Sequence, residues 1–562
     1  MGTIRHNDRS LELEAGRTLF DYADELRVQV PTSCGRTGSC HECIVEVQQG
    51  MEALCPRSPS ESFLHDPYRL ACQSAVVDDS GDIGFTPLRR KPQILTRATP
   101  VKTARLDPMV VRRGDEVVYD QQVVDRYRGH LYGLAMDLGT TTVVIELVDL
   151  ENGETLAVAS FENPQRFGGS DIMNRISYDG GPFQGELHQA IVKGLNFEIR
   201  ELCKRLRVRR REIYEVAVAG NSTMRDLFFG LDVQSIGQKP YKSLIEHEVL
   251  EGKRRSMSLT VEAASLGVQV HPRARIFGLP LIASHVGADT AADLVAIDME
   301  RQDEVTMLVD VGTNTEVVVG NGERMMTASC PAGPAFEGGL VKYGMPGCEG
   351  AIESIGAVNG RFDYRTIGGV EPQGICGSGL IDLLAELRRT DQMTPKGVFP
   401  DRAFEINVVP EHGITLSRED ASNLAQAKAA NFCGQYIVMR RFGIAPGDVR
   451  RLYLAGGFAN YVNVANAIEI GFLAPVDRDR IVKVGNAAVQ GAKAVLLSRS
   501  RRESLERLIG RIEHVELETT PDFFEVFVEG CQFKPMPPTS RSSTATGDIC
   551  TGLPWTWAPP PW

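Results

Sequence analysis

Apolar positions along the chain fall into short runs broken by glycine, and each run predicts a strand or the entry to a helix. Residues 9–30, "RSLELEAGRTLFDYADELRVQV", predict a strand, a turn and a short helix. Residues 43–50, "CIVEVQQG", alternate as a half-buried strand does. Two longer stretches share one pattern. "GLAMDLGTTTVVIELVD" begins at Gly133 and "TMLVDVGTNTEVVVGN" at Thr306. Each predicts an apolar strand, an Asp-x-Gly-Thr-x-Thr turn and a Val-rich strand. The turn aspartates, Asp137 and Asp310, are spaced by 173 residues. That is too long for a solenoid repeat and suits two similar lobes facing each other. "VRRLYLAGGFANYV" (449–462) predicts an apolar strand that stops at Gly456-Gly457. "VAVAGNSTM" (216–224) and "GICGSGLIDLLAEL" (374–387) predict strand or loop ends leading into helices.

The pattern fades twice. The Pro-rich, basic stretch "GFTPLRRKPQILTRATPVKTARLDP" predicts an extended linker over 86–130. The Pro/Ser/Thr-rich end, 534–562, predicts a disordered tail. The expected organisation is thus a first domain over 1–85, a linker over 86–130, a large domain over 131–533 with lobes near 131–303 and 304–533, and the tail. The fold class is a multidomain chain of α+β and α/β parts.

Composition narrows the function classes. The 562 residues carry 61 Lys and Arg against 73 Asp and Glu, a net charge of −12. No long basic block points to nucleic acid, and no run of about 18 apolar residues points to a membrane span. The first residues lack the apolar core of a signal peptide, and position 6 is not the Ser or Thr of a myristoylation motif. A cytoplasmic protein is expected, in which disulfides are rare.

Cysteine spacing changes the picture. Cys34, Cys40 and Cys43 follow C-x5-C-x2-C, and Cys72 returns after a long gap. Zinc ribbons pair two short hooks. A three-plus-one spacing suits four thiolates on a 2Fe–2S cluster, with Gly35 and Gly38 permitting a tight loop whose N–H groups face the sulfurs. A zinc site or a purely structural role is the alternative. Cys55 is the spare. Cys203, Cys348, Cys376, Cys433, Cys531 and Cys550 have no close cysteine neighbour and are expected to be inert.

The repeated turns point to phosphate. Gly139 and Gly312 let backbone N–H groups approach an anion. Thr140, Thr141, Thr142, Thr313, Asn314 and Thr315 add side-chain hydrogen-bonding groups. Asp137 and Asp310 suit a partly hydrated Mg2+ lying between carboxylate and phosphate. Gly456 and Gly457 would let a purine lie against backbone. No G-x-x-x-x-G-K-[ST] stretch is present.

In this order the motifs resemble the ATPase domain shared by sugar kinases, Hsp70 and actin. With "DLGTTT", "DVGTNTE", "CPAGPAFEGG", "GICGSGLID" and "LAGGFANY" behind a cysteine-rich domain, the chain up to about Phe533 resembles the reductive activators of corrinoid proteins. The resemblance implies a β-grasp 2Fe–2S ferredoxin domain, a linker and a two-lobed actin-like ATPase. It implies ATP-driven transfer of one electron to a partner's Co(II) corrinoid, giving Co(I) for methyl transfer. The implied cofactors are a 2Fe–2S cluster, ATP and Mg2+. The implied partners are the corrinoid protein of a methyltransferase system and an upstream low-potential electron donor, with a homodimer open. Ser329, or Cys330 beside it, either reaches the corrinoid from a shallow surface or only packs the turn after the second Asp-x-Gly-Thr loop. Some members carry a further middle domain, for which "YRGHLYGLAMDLG" leaves little room. The alternatives are a small-molecule kinase of the same fold, an activator of the 2-hydroxyacyl-CoA dehydratase type and a nucleotide-binding sensor.

Overall fold

Five strands form the sheet of the N-terminal module, in the order Arg9–Glu12, Thr3–His6, Ile83–Pro87, Ile44–Gln49, Tyr68–Leu70. Thr3–His6 runs parallel to Ile83–Pro87, the pairing that closes a β-grasp sheet. Helix Leu19–Glu25 begins at a Thr18–Asp21 capping box and buries Leu19, Phe20, Tyr22 and Ala23. The computed structural model describes residues 2–7, 9–88, 106–358, 361–457 and 459–539.

The two repeats build two six-stranded sheets. The first runs Thr155–Glu162, Thr142–Asp149, Tyr132–Leu138, Ile213–Gly220, Arg275–Gly278, Leu259–Glu262. The second runs Ile512–His514, Met325–Cys330, Thr315–Gly320, Thr306–Val311, Arg451–Ala455, Ile481–Gly485. Both contain a three-stranded antiparallel meander followed by a parallel strand. Ile213–Gly220, parallel and central, is buried at all eight positions. The register repeats too: Asp137 pairs with Ala219, and Asp310 with Ala455. The two aspartates therefore close equivalent strand ends.

Three expectations about domain limits are corrected. The stretch expected to be a linker is folded over 110–126, where Val110–Arg113, Glu116–Tyr119 and Gln122–Arg126 form an antiparallel meander. Gly114 and the pair Asp120-Gln121 turn it with positive φ. Val110, Val117 and Val118 are buried, and Asp125 accepts a hydrogen bond from Tyr214 at 3.0 Å. Local β-branched alternation outweighs the basic and Pro-rich composition of the stretch. Residues 89–105 lie outside the described residues.

The lobe limits are crossed as well. Helices Ala487–Leu497 and Arg499–Ile509 leave the second lobe and pack on helix Ala288–Ala296 of the first. The approach is close: a Cβ on Gly491 would stand 1.9 Å from the Ala292 carbonyl oxygen. Gln490 donates to Glu146 at 2.6 Å, and Arg502 pairs with the fully buried Glu215 at 2.9 Å. Of the expected tail, residues 534–539 are packed, with Met536 buried and Thr539 donating to the Ile444 carbonyl at 2.6 Å. Residues 540–562 lie outside the described residues.

The N-terminal module sits on the first lobe. Arg166 bridges Glu46 and Glu162 at 3.0 Å each, and Tyr178 donates to the Phe63 carbonyl at 2.7 Å. The His41 ring stacks on Phe63 and its Nδ1 lies 3.1 Å from Glu186. Among the described residues no helix is long and apolar enough to cross a membrane.

Candidate functional site

Two sites emerge, one in each expected place. In the N-terminal module the loop from Cys34 to Cys43 is held by backbone that few residues adopt: Gly35, Arg36, Gly38 and His41 all have positive φ. Arg36 fixes the loop to the helix below, pairing with Asp21 at 3.0 Å and lying over the Phe20 ring. A Cβ on Gly38 would press on Gln73 and Ser60 at 3.0–3.1 Å. Cys40, Cys43 and Cys72 are buried and Cys34 is half-buried. Cys43 and Cys72 bring their sulfurs to 3.3 Å, and Thr32 lies 3.9 Å from the sulfurs of Cys34 and Cys40.

Two of the cysteines, Cys34 and Cys72, are held toward thiolate. Burial resists ionisation of Cys34, but bonds from Thr37 and Cys40 hold it down at about 5. Cys43 donates to Cys72, which with a bond from Gln73 and the Gly38 amide brings Cys72 to about 6 and pushes Cys43 far up. Cys55 is occupied elsewhere: it donates to the Gln73 carbonyl at 3.2 Å and accepts from the Ala75 amide at 3.4 Å. The four sulfurs, with amide donors facing two of them, fit a cluster ligated by cysteine.

The second site is the cleft between the lobes. Asp137 and Gly139–Thr142 line it from the first lobe, and Asp310 and Gly312–Asn314 from the second, with Gly456 and Gly457 alongside. Gly139 is required by its own hairpin, since a Cβ there would meet the Thr142 carbonyl oxygen at 2.6 Å. Gly456, at φ 107, would place a Cβ 2.1 Å from the Val311 carbonyl oxygen beside the second Asp-x-Gly-Thr turn. Two asparagines that cap helices also steady the first loop. Asn221 donates to Thr140 at 2.9 Å, and Asn486 donates to Asp137 at 2.7 Å.

One expected contact is corrected. Thr315 is fully buried and does not line the cleft. Alternation along its strand turns Glu316 to the cavity instead. The sequence reading also missed Asp289, Asp293 and Glu337. The first two sit four residues apart on helix Ala288–Ala296, so they share a face. Two aspartates at that spacing in an Ala-rich helix are the signal that would have found them. Glu337 accepts hydrogen bonds from Thr141 at 3.2 Å and Thr313 at 2.7 Å, one threonine from each loop.

Among the described residues no Lys or Arg lines this cleft. Burial without a neighbouring cation makes its carboxylates hold protons tightly. Burial, with repulsion from Asp289 and Asp310, pushes Asp137 up to about 7 against the help of Asn486. Burial and Asp310 push Asp289 to about 7, and burial beside these carboxylates pushes Asp293 and Glu316 far up.

A pH effect follows from Asp137. Its ordinary value is 3.8, so between about 4 and 7 the folded chain holds a proton that the unfolded chain releases. Stability contributed by this group falls as pH rises through that window. Without added nucleotide or metal, wild-type protein should lose melting temperature relative to Asp137→Asn as pH rises from 5 to 7.5. Parallel melting curves across that range would remove Asp137 as the titrating group.

Ser329 and Cys330 pack into the sheet, the second of the two readings of this stretch. Ser329 is half-buried and donates to Glu316 at 3.0 Å, within the cleft wall. Cys330 is fully buried against Gly434, so it presents no surface thiol. Strand pairing with Thr315–Gly320 draws both residues into the sheet.

Comparison with known proteins now bears on this geometry. Residues 304–542 match the C-terminal domain of RACo, its ASKHA domain, and residues 132–302 match the RACo middle region. Residues 3–77 match the 2Fe-2S iron-sulfur cluster binding domain. The chain belongs to the RACo family. The segment matched to the RACo middle region is the one that carries the first Asp-x-Gly-Thr hairpin.

The corrinoid activation enzyme RamQ of Eubacterium limosum is 28% identical, over 94% of this chain and 98% of its own length. The Co(II) methylated amine-specific corrinoid protein reductase of Methanosarcina barkeri is 25% identical over 70% of this chain and 75% of its own. A solved structure, the reductive activator for corrinoid, iron-sulfur protein, superposes with a TM-score of 0.69 at 27% identity. It covers 95% of this chain and 98% of its own. The RACo architecture here is thus a β-grasp ferredoxin domain joined to a two-lobed actin-like ATPase.

Proposed function

We propose that this chain reductively activates a corrinoid protein of a methyltransferase system, using ATP to move one electron from a 2Fe–2S cluster to Co(II) and so regenerate Co(I). The observation that carries the reading is the union, in one chain, of four cysteines gathered at one site, with Cys34 and Cys72 held toward thiolate, and a cleft lined by two Asp-x-Gly-Thr turns. The RACo relatives named for corrinoid activation and reduction support it.

Cys34, Cys40, Cys43 and Cys72 would hold the cluster, which supplies a one-electron carrier of low potential. Cys34, the most exposed of the four, marks the edge nearest solvent. The nucleotide's phosphates would lie on Gly139–Thr142 and Gly312–Asn314, with the adenosine against Gly456-Gly457. Asp137 and Asp310 would orient the hydrated cation and the attacking water. Mg2+ suits a cleft so acidic, because bare phosphate would be repelled by it. Ser329 remains a candidate corrinoid contact, through an oxygen lone pair while its proton is donated to Glu316.

ATP is needed for a thermodynamic reason. Each 59 mV by which cobalt lies below the cluster costs about 1.4 kcal/mol for a one-electron step. Nucleotide-dependent binding of the partner can offset this only through different affinities in two conformations. The deciding experiment mixes the protein, ATP, a reductant and a Co(II) corrinoid protein and follows the visible spectrum. Conversion to Co(I) only when ATP is present is the expected result. Equal conversion without ATP would remove the reading.

A further inference from the structure

Glu337 is the carboxylate that touches both phosphate loops. It ends the short turn Ala335–Glu337, half-buried in the cleft wall, and one oxygen, Oε2, accepts from both threonines. Thr313 belongs to the second-lobe loop and Thr141 to the first, so the pair of bonds spans the cleft. A threonine hydroxyl has a single proton to donate. Whichever of these protons goes to a phosphate oxygen is lost to Glu337, and the carboxylate and the phosphate repel each other besides.

The turn behind Glu337 is tightly fitted. Gly338 has φ 93, and a Cβ there would stand 2.5 Å from Met345 backbone atoms. Two residues on, Leu340 holds φ 60 with 68% of its surface exposed, an unfavourable state for a branched apolar residue. Asn423 donates to its carbonyl at 2.7 Å, and the Lys342 amide donates to Asp420 at 2.8 Å. Both partners lie in the first turns of the long helix Arg418–Phe442. A displaced Glu337 thus pulls on a surface segment and on the start of that helix.

We propose that Glu337 is a positioning residue that competes with nucleotide phosphate for the hydroxyl protons of Thr141 and Thr313, and so couples occupancy of the cleft to the segment Gly338–Tyr343. The inference rests on the nucleotide reading given above. It makes Glu337 a restraint on ATP binding, acting on substrate and transition state alike.

The test uses the full-length protein carrying its cluster. Glu337→Gln keeps the shape and an acceptor oxygen but removes the charge. It should lower KM for ATP roughly ten-fold with kcat within about two-fold of wild type, the pattern of a uniform change in binding. Hydrogen exchange across Gly338–Tyr343 should respond to ATP in wild type and respond less in the variant. Glu337→Asp, too short to reach both threonines, should also lower KM. A wild-type KM in Glu337→Gln, or a raised one, overturns the inference, as does an unaltered exchange response. If wild-type protein neither binds nor hydrolyses ATP, the nucleotide reading fails and takes this inference with it. ATP turnover in wild type with an unchanged Glu337→Gln removes this inference alone.

Discussion

Cys72→Ala protein should lose its visible iron–sulfur absorption and all cobalt reduction while continuing to hydrolyse ATP. Cys72 is the one member of the cysteine set that comes from outside the 34–43 loop. Its sulfur stands 3.3 Å from that of Cys43 and receives the Gly38 amide. Removing it opens the side of the site that the loop does not wrap. Three remaining thiolates leave one iron short of a ligand, and without a cluster no electron carrier remains in the chain. The cleft lies in other domains, so ATP turnover should persist. Cys55→Ala is the paired control. Its thiol is bonded to Gln73 and Ala75, so iron content and absorption should match wild type. Iron retained by Cys72→Ala, with iron lost from Cys55→Ala, would reverse the ligand assignment.

Asp310→Ala should slow ATP hydrolysis by roughly 100- to 10,000-fold, the range for losing a residue that handles a proton or positions water at the reacting phosphate. The fold should tolerate the change. Asp310 ends a strand opposite Ala455, close to the buried Asp289 and Glu316, and the Asp293 carboxyl hydrogen-bonds to it. Removing one buried carboxylate relieves the repulsion with Asp289 and Glu316 but forfeits the bond from Asp293, so the melting temperature at pH 7.5 should stay close to wild type. Phosphate release measured beside a thermal melt separates the two effects. A folded Asp310→Ala protein with wild-type turnover would make the loop a structural turn only.

The features legible in the sequence were those whose chemistry is local. Four cysteines in a three-plus-one spacing, and two copies of Asp-x-Gly-Thr-x-Thr, each carry their meaning within a few residues. The structure places both Asp-x-Gly-Thr turns and Gly456-Gly457 on one cleft, as their order along the chain implied. What escaped depends on distance or on strand phase. Glu337 sits in "CPAGPAFEGG", a motif read only for its family resemblance, and nothing local says that its oxygen will meet threonines from two lobes. Thr315 looked equivalent to Thr313 until alternation in the strand turned it inward. The meander over 110–126 was hidden by prolines and basic residues that belong to its flanks, although "VVRRGDEVVY" has the alternation and Gly-Asp turn of a hairpin. The crossing of helices 487–509 to the first lobe is a tertiary fact without a local signature.

That crossing sets a timetable for synthesis. The sheet and helices of the first lobe are complete by residue 303, but the surface that receives Ala487–Leu497 stays uncovered until the chain reaches 509. At ribosomal speeds of about 5–20 residues per second, the wait is on the order of 10–40 s. Through that interval the nascent first lobe displays an apolar groove, and Glu215 lacks Arg502. Ribosome-bound chains ending before 487 are accordingly the ones that should recruit chaperones, and those ending well past 509 should be released from them.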